Sequence, residues 1–271
     1  MSKKNKSKFI LVFSDTHVGS DIAIWPKGFV SQSGHDLPQS KFQEWLNECW
    51  DHMLSWVHNM VGDDDLTAVF NGDIIEGTHH RTTEIMSAKP EDQFDAAVQI
   101  FESIAQIADR LYMIEGTECH VGRMEAAVGA RFGAVVNPVT QQAAFPRLVL
   151  DVDGCICSFA HHIGTTSRPY LEASQHSINH GVEVIEAARN GHAIPNVMCR
   201  AHRHRHGIWR DGNLMSIVTG AWQGITRFGS KVVPAAVPNP SVVLLEFVEG
   251  TLLPIPHELV FVPKQSPIHK I

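Results

Sequence analysis

The apolar positions of this chain fall into two periods. Three short runs, 9–13 ("FILVF"), 66–70 ("LTAVF") and 110–114 ("RLYMI"), show no polar alternation across a face, the pattern of strands buried on both sides. Between them, 41–60 ("KFQEWLNECWDHMLSWVHNM") places Phe42, Trp45, Leu46, Trp50, Met53, Leu54 and Val57 at helical spacing, and 94–109 ("FDAAVQIFESIAQIAD") repeats that period. The tryptophans on the first helix read as core anchors. Residues 20–40 are polar with Gly and Pro and read as a long loop. The β-α-β-α-β succession predicts a sheet that begins parallel and doubly wound.

The second half changes character. Residues 147–162 read as two strands turning at Asp153-Gly154, 207–220 as a hairpin turning at Asp211-Gly212-Asn213, and 241–261 as a terminal hairpin turning at Glu249-Gly250. A helix is expected over 172–191, with an interruption near Gly181 and a stop at Gly191. A strand then runs into a histidine cluster, "AHRHRH". No repeat, low-complexity tract or linker interrupts the chain. Two α/β halves packed sheet on sheet, forming one domain over 9–271 after a basic tail at 1–8, fit this order best.

Composition narrows the class. A chain of 271 residues can bury roughly 75% of its unfolded surface and needs no covalent staples. Twenty-two basic against 29 acidic residues give a formal charge of -7. That is too acidic for a protein that coats long duplex electrostatically, and leaves short or single-stranded nucleic acid open. Five cysteines form no spaced zinc pattern, and Cys155-x-Cys157 reads as strand packing. The odd count and the absence of a signal-peptide pattern point to a reducing, cytoplasmic setting. No apolar run approaches the ~18–20 residues of a membrane span, so a soluble protein is expected.

Seventeen histidines stand against two tyrosines. His35, His52, His58, His176, His180, His192, His257 and His269 are scattered and read as surface or capping residues. The rest cluster after apolar runs. The first strand ends at Asp15-Thr16-His17, and residues i and i+2 of an extended segment point the same way. Asp73 follows the second strand, Gly116–His120 ("GTECH") the third, and His161-His162 and His202/His204 two later ones. Ligands gather outside the carboxyl ends of such strands. Carboxylates and imidazoles at that place, without a Gly-rich phosphate loop, point to a metal centre, and their number exceeds what one tetrahedral ion needs.

In order and spacing these motifs resemble the calcineurin-like metallophosphoesterase superfamily, over Asp15 to His204. The resemblance implies an α/β fold, a four-layer α-β-β-α sandwich with two mixed sheets packed face to face and helices outside. It implies that Asp15, His17 and His204 hold one metal ion, that Asp73 bridges to a second, and that His202 and a histidine of "FAHH" complete the second. His161, directly after its strand, is preferred to His162. The cluster 201–204 is similar to the family's Gly-His-x-His, with Ala201 in place of Gly.

Two departures matter. The family has Gly-Asn-His followed by an acidic residue, where this chain has Gly116-Thr117-Glu118-Cys119-His120. Thr117 holds the Asn register, whereas Glu118 is the better ligand by chemistry, an oxygen donor for a hard ion. Alternatively the segment is a helix N-terminus and the second ion is under-ligated. His120 is the candidate catalytic group, as acid or electrostatic stabiliser. "GTECH" followed by Val121-Gly122 resembles variants in phage- and prophage-encoded members. In the iron-tyrosinate branch a Tyr follows Gly-Asp-x-x; here that position is Glu76, which points to two divalent ions, Mn²⁺ foremost, with Zn²⁺, Ni²⁺ and Fe²⁺ as alternatives.

The reaction implied is attack of a metal-bridging hydroxide on a phosphate ester, with two ions ~3.5–4 Å apart neutralising the developing charge. A phosphodiester, nucleotide or short nucleic acid, is the preferred substrate. Phosphomonoester or phosphoprotein cleavage, and a non-catalytic protein-binding member of the fold, are the alternatives. Arg123 and Arg168 are candidate phosphate clamps. His79-His80-Arg81 and Arg227 lie on neighbouring loops, and Trp222 is a candidate for stacking on a base. Oligomeric state is not legible.

Overall fold

The computed structural model describes residues 6–264 except 80, 81, 123, 165–167, 169, 170, 233–236, 250 and 254. Most of the expected basic tail, residues 1–5, and His80, Arg81, Arg123, Tyr170 and His269 therefore lie outside the described residues.

The first sheet contains β1 (Lys8–Phe13), β2 (Asp65–Phe70), β3 (Arg110–Met113), β9 (Ser241–Val248), β10 (Thr251–Leu252) and β11 (His257–Val260). Its order is β10-β9-β1-β2-β3, with β11 also on β9. β1, β2 and β3 run parallel, and β9 lies antiparallel to β1. The second sheet contains β4 (Leu148–Val152), β5 (Cys155–Phe159), β6 (Val197–Arg200), β7 (Gly207–Asp211) and β8 (Leu214–Val218), in the order β4-β5-β6-β8-β7. Both sheets are mixed.

β1 explains why its sequence lacks alternation. Phe9, Leu11 and Phe13 point into one core, shared with the helices α1 (Lys41–Val61), α2 (Pro90–Ile107) and α4 (Met124–Arg131). Ile10 and Val12 point into a second core, where they meet Phe159, Val197, Cys199 and Ile217 of the other sheet. The two sheets thus pack face to face. The fourth layer is α5 (Glu172–Asn190), which reaches β5 and β6 through Glu183: its carboxylate accepts from Arg200 at 2.6 Å and from Ser158 at 3.3 Å. The architecture is the α-β-β-α sandwich expected.

Local chemistry sets the helix boundaries. Ser40 and Gln43 form a reciprocal capping box at the start of α1, and Pro90 opens α2 where its missing N–H is not needed. At the β4–β5 turn Asp153 and Gly154 both take positive φ, 52° and 96°, as a tight hairpin requires. Two expectations change. α5 runs unbroken through Gly181, its packing on the sheet overriding a residue that costs only about 1 kcal/mol. Residues 20–40 form the expected loop, packed through buried Ala23, Ile24, Trp25 and Phe29, with Trp25 donating to the Leu37 carbonyl. His176, expected at the surface, is buried against Ser216. Cys157 packs in the inter-sheet core.

Because β1 feeds both cores, Leu11→Ala and Ile10→Ala should each lower the unfolding free energy by about 2–5 kcal/mol. Val149→Ala, at a half-exposed position on β4, should stay within about 0.5 kcal/mol. Denaturant titration of the three variants measures this directly.

Candidate metal centre

The segments that leave β1 and β2 are laddered to one another. Asp15 N–H donates to the Gly72 carbonyl and His17 N–H to the Asp73 carbonyl, each at 3.0 Å. Immediately past the strands the backbone turns sharply. Asp15, His17, Asp73, His202 and His204 all take positive φ, between 43° and 71°, and make up five of the eight non-glycine residues that do so among the described residues. Such a conformation turns a side chain back across the strand end, and Asp and His tolerate it better than bulkier residues. Gly72 is required between them: a Cβ there would lie 2.5 Å from His161 Nδ1 and 2.9 Å from the Gly116 Cα.

These turns bring the side chains to one point. Asp15 Oδ1 lies 3.4 Å from His204 Nε2, 3.9 Å from His17 Nε2 and 3.9 Å from His161 Nε2. The two ring nitrogens of His17 and His204 are 3.1 Å apart. His161 Nε2 lies 2.8 Å from Asp73 Oδ2, and His202 Nδ1 lies 4.0 Å from the same oxygen. Donor atoms of Asp15, His17 and His204 converge as one group, those of Asp15, Asp73 and His161 as a second, and those of His161, His162 and His202 as a third. Asp15 belongs to the first two groups and His161 to the last two, so the three groups adjoin.

Surrounding groups fix which atoms face inward. The Asn71 carbonyl accepts from His161 Nδ1 at 2.8 Å, so the Nε2 lone pair points at the carboxylates. Glu76 Oε2 lies 2.9 Å from His17 Nδ1, which likewise turns Nε2 inward. Carboxylate or carbonyl partners of this kind set the tautomer of metal-ligating imidazoles. Ser14 Oγ and the His202 N–H donate to Asp15 Oδ2, while Asp15 Oδ1 and His161 Nε2 are buried with no hydrogen-bond donor of the protein. The O/N composition of this donor set suits a hard or borderline divalent ion.

The electrostatics agree in direction. Burial would lift Asp73, but His161, His202 and His17 outweigh it and hold its carboxyl well below the ordinary range. Burial would lower His161, but Asp73 and Asp15 raise it to about 9, the sign of a position that draws positive charge. His204 is lowered to about 4, chiefly by burial, which keeps its imidazole neutral.

The residues expected from the sequence fall into distinct places. Asp15, His17, Asp73, His161, His202 and His204 come together, and exposed His162 stands beside them with its ring 5.0 Å from that of His161. Glu118 is exposed at the first residue of the short helix α3 (Glu118–Val121), outside the converging groups. Thr117 is the residue of this turn that reaches the site. Its hydroxyl donates to Asp73 Oδ2 at 3.0 Å, lies 3.3 Å from His202 Nδ1, and its N–H also donates to Asp73. His120 stands with its ring 4.8 Å from that of His17 and its Nδ1 3.0 Å from the Glu76 carbonyl. Burial and the neighbouring His17 keep His120 below the usual imidazole range. Arg168 is exposed between His162 and α5. Trp222 is fully buried against Trp50 and presents no face to a base. Arg203 and Arg205 pair with Glu172, away from the ligands.

Two residues of the site were missed. Glu76 holds His17, His79 and Gln223 from one buried carboxylate, although the sequence marks it only as a replaced tyrosine. Glu125, buried in α4, accepts the Asp73 N–H through Oε1 and the Gly116 N–H through Oε2, both at 2.8 Å. Burial pushes this carboxyl up to about 8 against the pull of those two donors.

No family model matches the chain, and no curated protein does. Among solved structures it is similar to an archaeal phosphodiesterase described as novel, at 10% identity and TM-score 0.45, over 93% of this chain and 99% of the other. It is also similar to Vps29 of Chaetomium thermophilum, at 13% identity and TM-score 0.42, over 93% and 96%. A third is a Streptococcus pneumoniae protein described as a predicted phosphoesterase, at 12% identity and TM-score 0.35, over 94% and 98%.

Glu125→Gln replaces an acceptor by an amide N–H₂ that faces a backbone donor, and so loosens Asp73. It should weaken divalent-ion binding by about 10–100-fold while the fold is kept. Calorimetric titration with Mn²⁺, with circular dichroism as the control for folding, reads the effect.

Proposed function

We propose that this chain is a calcineurin-like metallophosphoesterase, a hydrolase that cleaves a phosphate ester, with a phosphodiester of a nucleotide or short nucleic acid as the preferred substrate. The observation that supports this most is the set of two buried carboxylates and four imidazoles converging past the carboxyl ends of β1, β2, β5 and β6, with Asp15 Oδ1 and His161 Nε2 left without donors. Asp15, His17 and His204 would hold one divalent ion, Asp73 would be shared, and His161 and His202 would hold the second. For the remaining oxygen donor the geometry favours the Thr117 hydroxyl beside Asp73 and His202 over the exposed Glu118 carboxylate. When bound, two such ions polarise phosphoryl oxygens and lower the pKa of water enough to make it a nucleophile near neutral pH.

The protein's part is positioning. Glu76 and Asn71 fix the His17 and His161 rings, and Glu125 fixes the backbone that carries Asp73. His120, whose Nδ1–H donates to the Glu76 carbonyl, would give a proton from Nε2 to the leaving-group oxygen only when both ring nitrogens are protonated, a state that burial and His17 disfavour. Arg168, exposed and beyond His162 on the chain, would be the phosphate clamp.

Hydrolysis of an aryl phosphodiester and of the matching monoester with Mn²⁺, each with an EDTA control, tests the reading. EDTA-sensitive cleavage with the diester preferred is expected; absence of cleavage of both esters with Mn²⁺, Zn²⁺, Ni²⁺ and Fe²⁺ would overturn it. Asp73→Ala should reduce turnover by at least about 10²-fold, the scale of removing a group that supports transition-state charge. It should also reduce bound metal at both positions, whereas His204→Ala should affect mainly one. Metal analysis of the purified variants separates the two.

A further inference from the structure

Glu76 orients two imidazoles besides that of His17. Its Oε1 lies 2.9 Å from His79 Nε2, and its backbone carbonyl lies 3.0 Å from His120 Nδ1. Carboxylate and carbonyl oxygens only accept, so each ring gives Glu76 an N–H and keeps its lone pair on the opposite nitrogen. The two rings stand edge to face with centroids 4.1 Å apart. Cys119 is the third member of the group. The donor atoms of His79, Cys119 and His120 all lie within 4.8 Å of one another.

Two segments bring these donors together, and their docking is close. A Cβ on Gly77 would stand 1.8 Å from the His120 carbonyl oxygen, so only a glycine, here at φ 71°, lets residues 76–79 meet α3. Gln93 of α2 fixes the same segment, its Oε1 accepting the Gly77 N–H at 2.8 Å. Cys119 is exposed, which opens the group to solvent on the thiol side.

The donor set differs in kind from that around Asp15 and Asp73. Oxygen and nitrogen donors suit hard or borderline ions, whereas a thiolate with two imidazoles selects a softer one, zinc foremost. Three protein donors with a fourth position open is a recurrent zinc arrangement. Bonds of about 2.3 Å to sulfur and 2.0–2.1 Å to nitrogen put the donors of one tetrahedral ion about 3.3–3.6 Å apart. Donors within 4.8 Å have to close by at most about 1.3 Å to meet that geometry. A change of χ1 rotamer moves the exposed Cys119 sulfur further than this. As the S–Zn bond forms, the thiol proton leaves to solvent.

We propose that His79, Cys119 and His120 form a further metal site, selective for Zn²⁺ over harder ions, beside the carboxylate–imidazole centre. Binding there requires neither the central ions nor the activity proposed above.

Co²⁺ occupies zinc sites and reports a thiolate ligand through a near-ultraviolet charge-transfer band. Cys49, Cys157 and Cys199 are buried and Cys155 sits on β5, so the band reads Cys119. The full chain, stripped with EDTA and titrated with Co²⁺, should develop the band, and Zn²⁺ should abolish it where excess Mn²⁺ does not. Cys119→Ser should melt at the native temperature and show no band. His79→Ala should need at least about 10-fold more Co²⁺ for half intensity, the scale found even for groups that only support a ligand. His204→Ala, which weakens the centre described above, should leave the band and its midpoint unchanged, so failure of that centre and failure of this site are told apart. A native chain without the band, a band that persists in Cys119→Ser, a midpoint that His79→Ala leaves in place, or a band lost in His204→Ala would each overturn the proposal.

Discussion

Four buried carboxylates stand around the ends of the central strands, and the rest of the site follows from the need to compensate them. An ionised carboxylate away from water costs several kcal/mol unless it is met by donors or cations. Glu125, pushed up to about 8 by burial, escapes most of that cost by holding its proton near neutral pH while it accepts two backbone N–H groups, and Glu76 is met by His17, His79 and Gln223. Asp15 is met on one oxygen by Ser14 and the His202 backbone, and Asp73 on both by Thr117, whose N–H donates to Oδ1 and whose hydroxyl donates to Oδ2. Among the ligand atoms that face inward, Asp15 Oδ1 and His161 Nε2 are left without a hydrogen-bond partner.

That arrangement is strained as well as charged. Left-handed backbone at Asp15, His17, Asp73, His202 and His204 costs on the order of 1–3 kcal/mol per residue, toward the low end for Asp and His. The offset comes from the strands beneath. β1 is buried on both faces, with Phe9, Leu11 and Phe13 in one core and Ile10 and Val12 in the other, and a fully buried side chain of that size contributes about 1.5–3 kcal/mol. The strands most deeply embedded are therefore those that end in ligands. A rigid strand with a strained terminus holds its side chain where a surface loop would let it relax.

Much of this was legible in the order of residues. Unbroken apolar runs ending in Asp15, Asp73 and His161 located the strands and the ends at which ligands collect, because a doubly buried strand leaves that trace and its exit must be polar. The continuity of α5 through Gly181 was not legible, since packing on a sheet outweighs a local propensity of about 1 kcal/mol. Trp222 looked like a surface aromatic near the ligands and is instead wedged under α1 against Trp50, a tertiary contact with no sequence signature. The supporting carboxylates Glu76 and Glu125 were hidden for the same reason, since a residue whose partners are side chains or backbone N–H groups brought together only by the fold carries no motif of its own.

At the turn Gly116–His120 the backbone, not donor strength, sets which side chain stands beside Asp73. By donor strength Glu118 outranks Thr117, and that comparison assumes both can reach the ion. The backbone decides otherwise. Gly116 is pressed so closely on Asp73 that a Cβ would lie 2.3 Å from its nitrogen, and Glu125 clamps the Gly116 N–H. Thr117 then gives both its N–H and its hydroxyl to Asp73, and the next residue enters α3 pointing outward. Two of the three groups that hold this turn are main-chain N–H groups, which any residue supplies. The geometry around Asp73 therefore survives a change of letter at 117, and the departure from the expected Asn removes a stronger donor without removing the shape into which an ion fits.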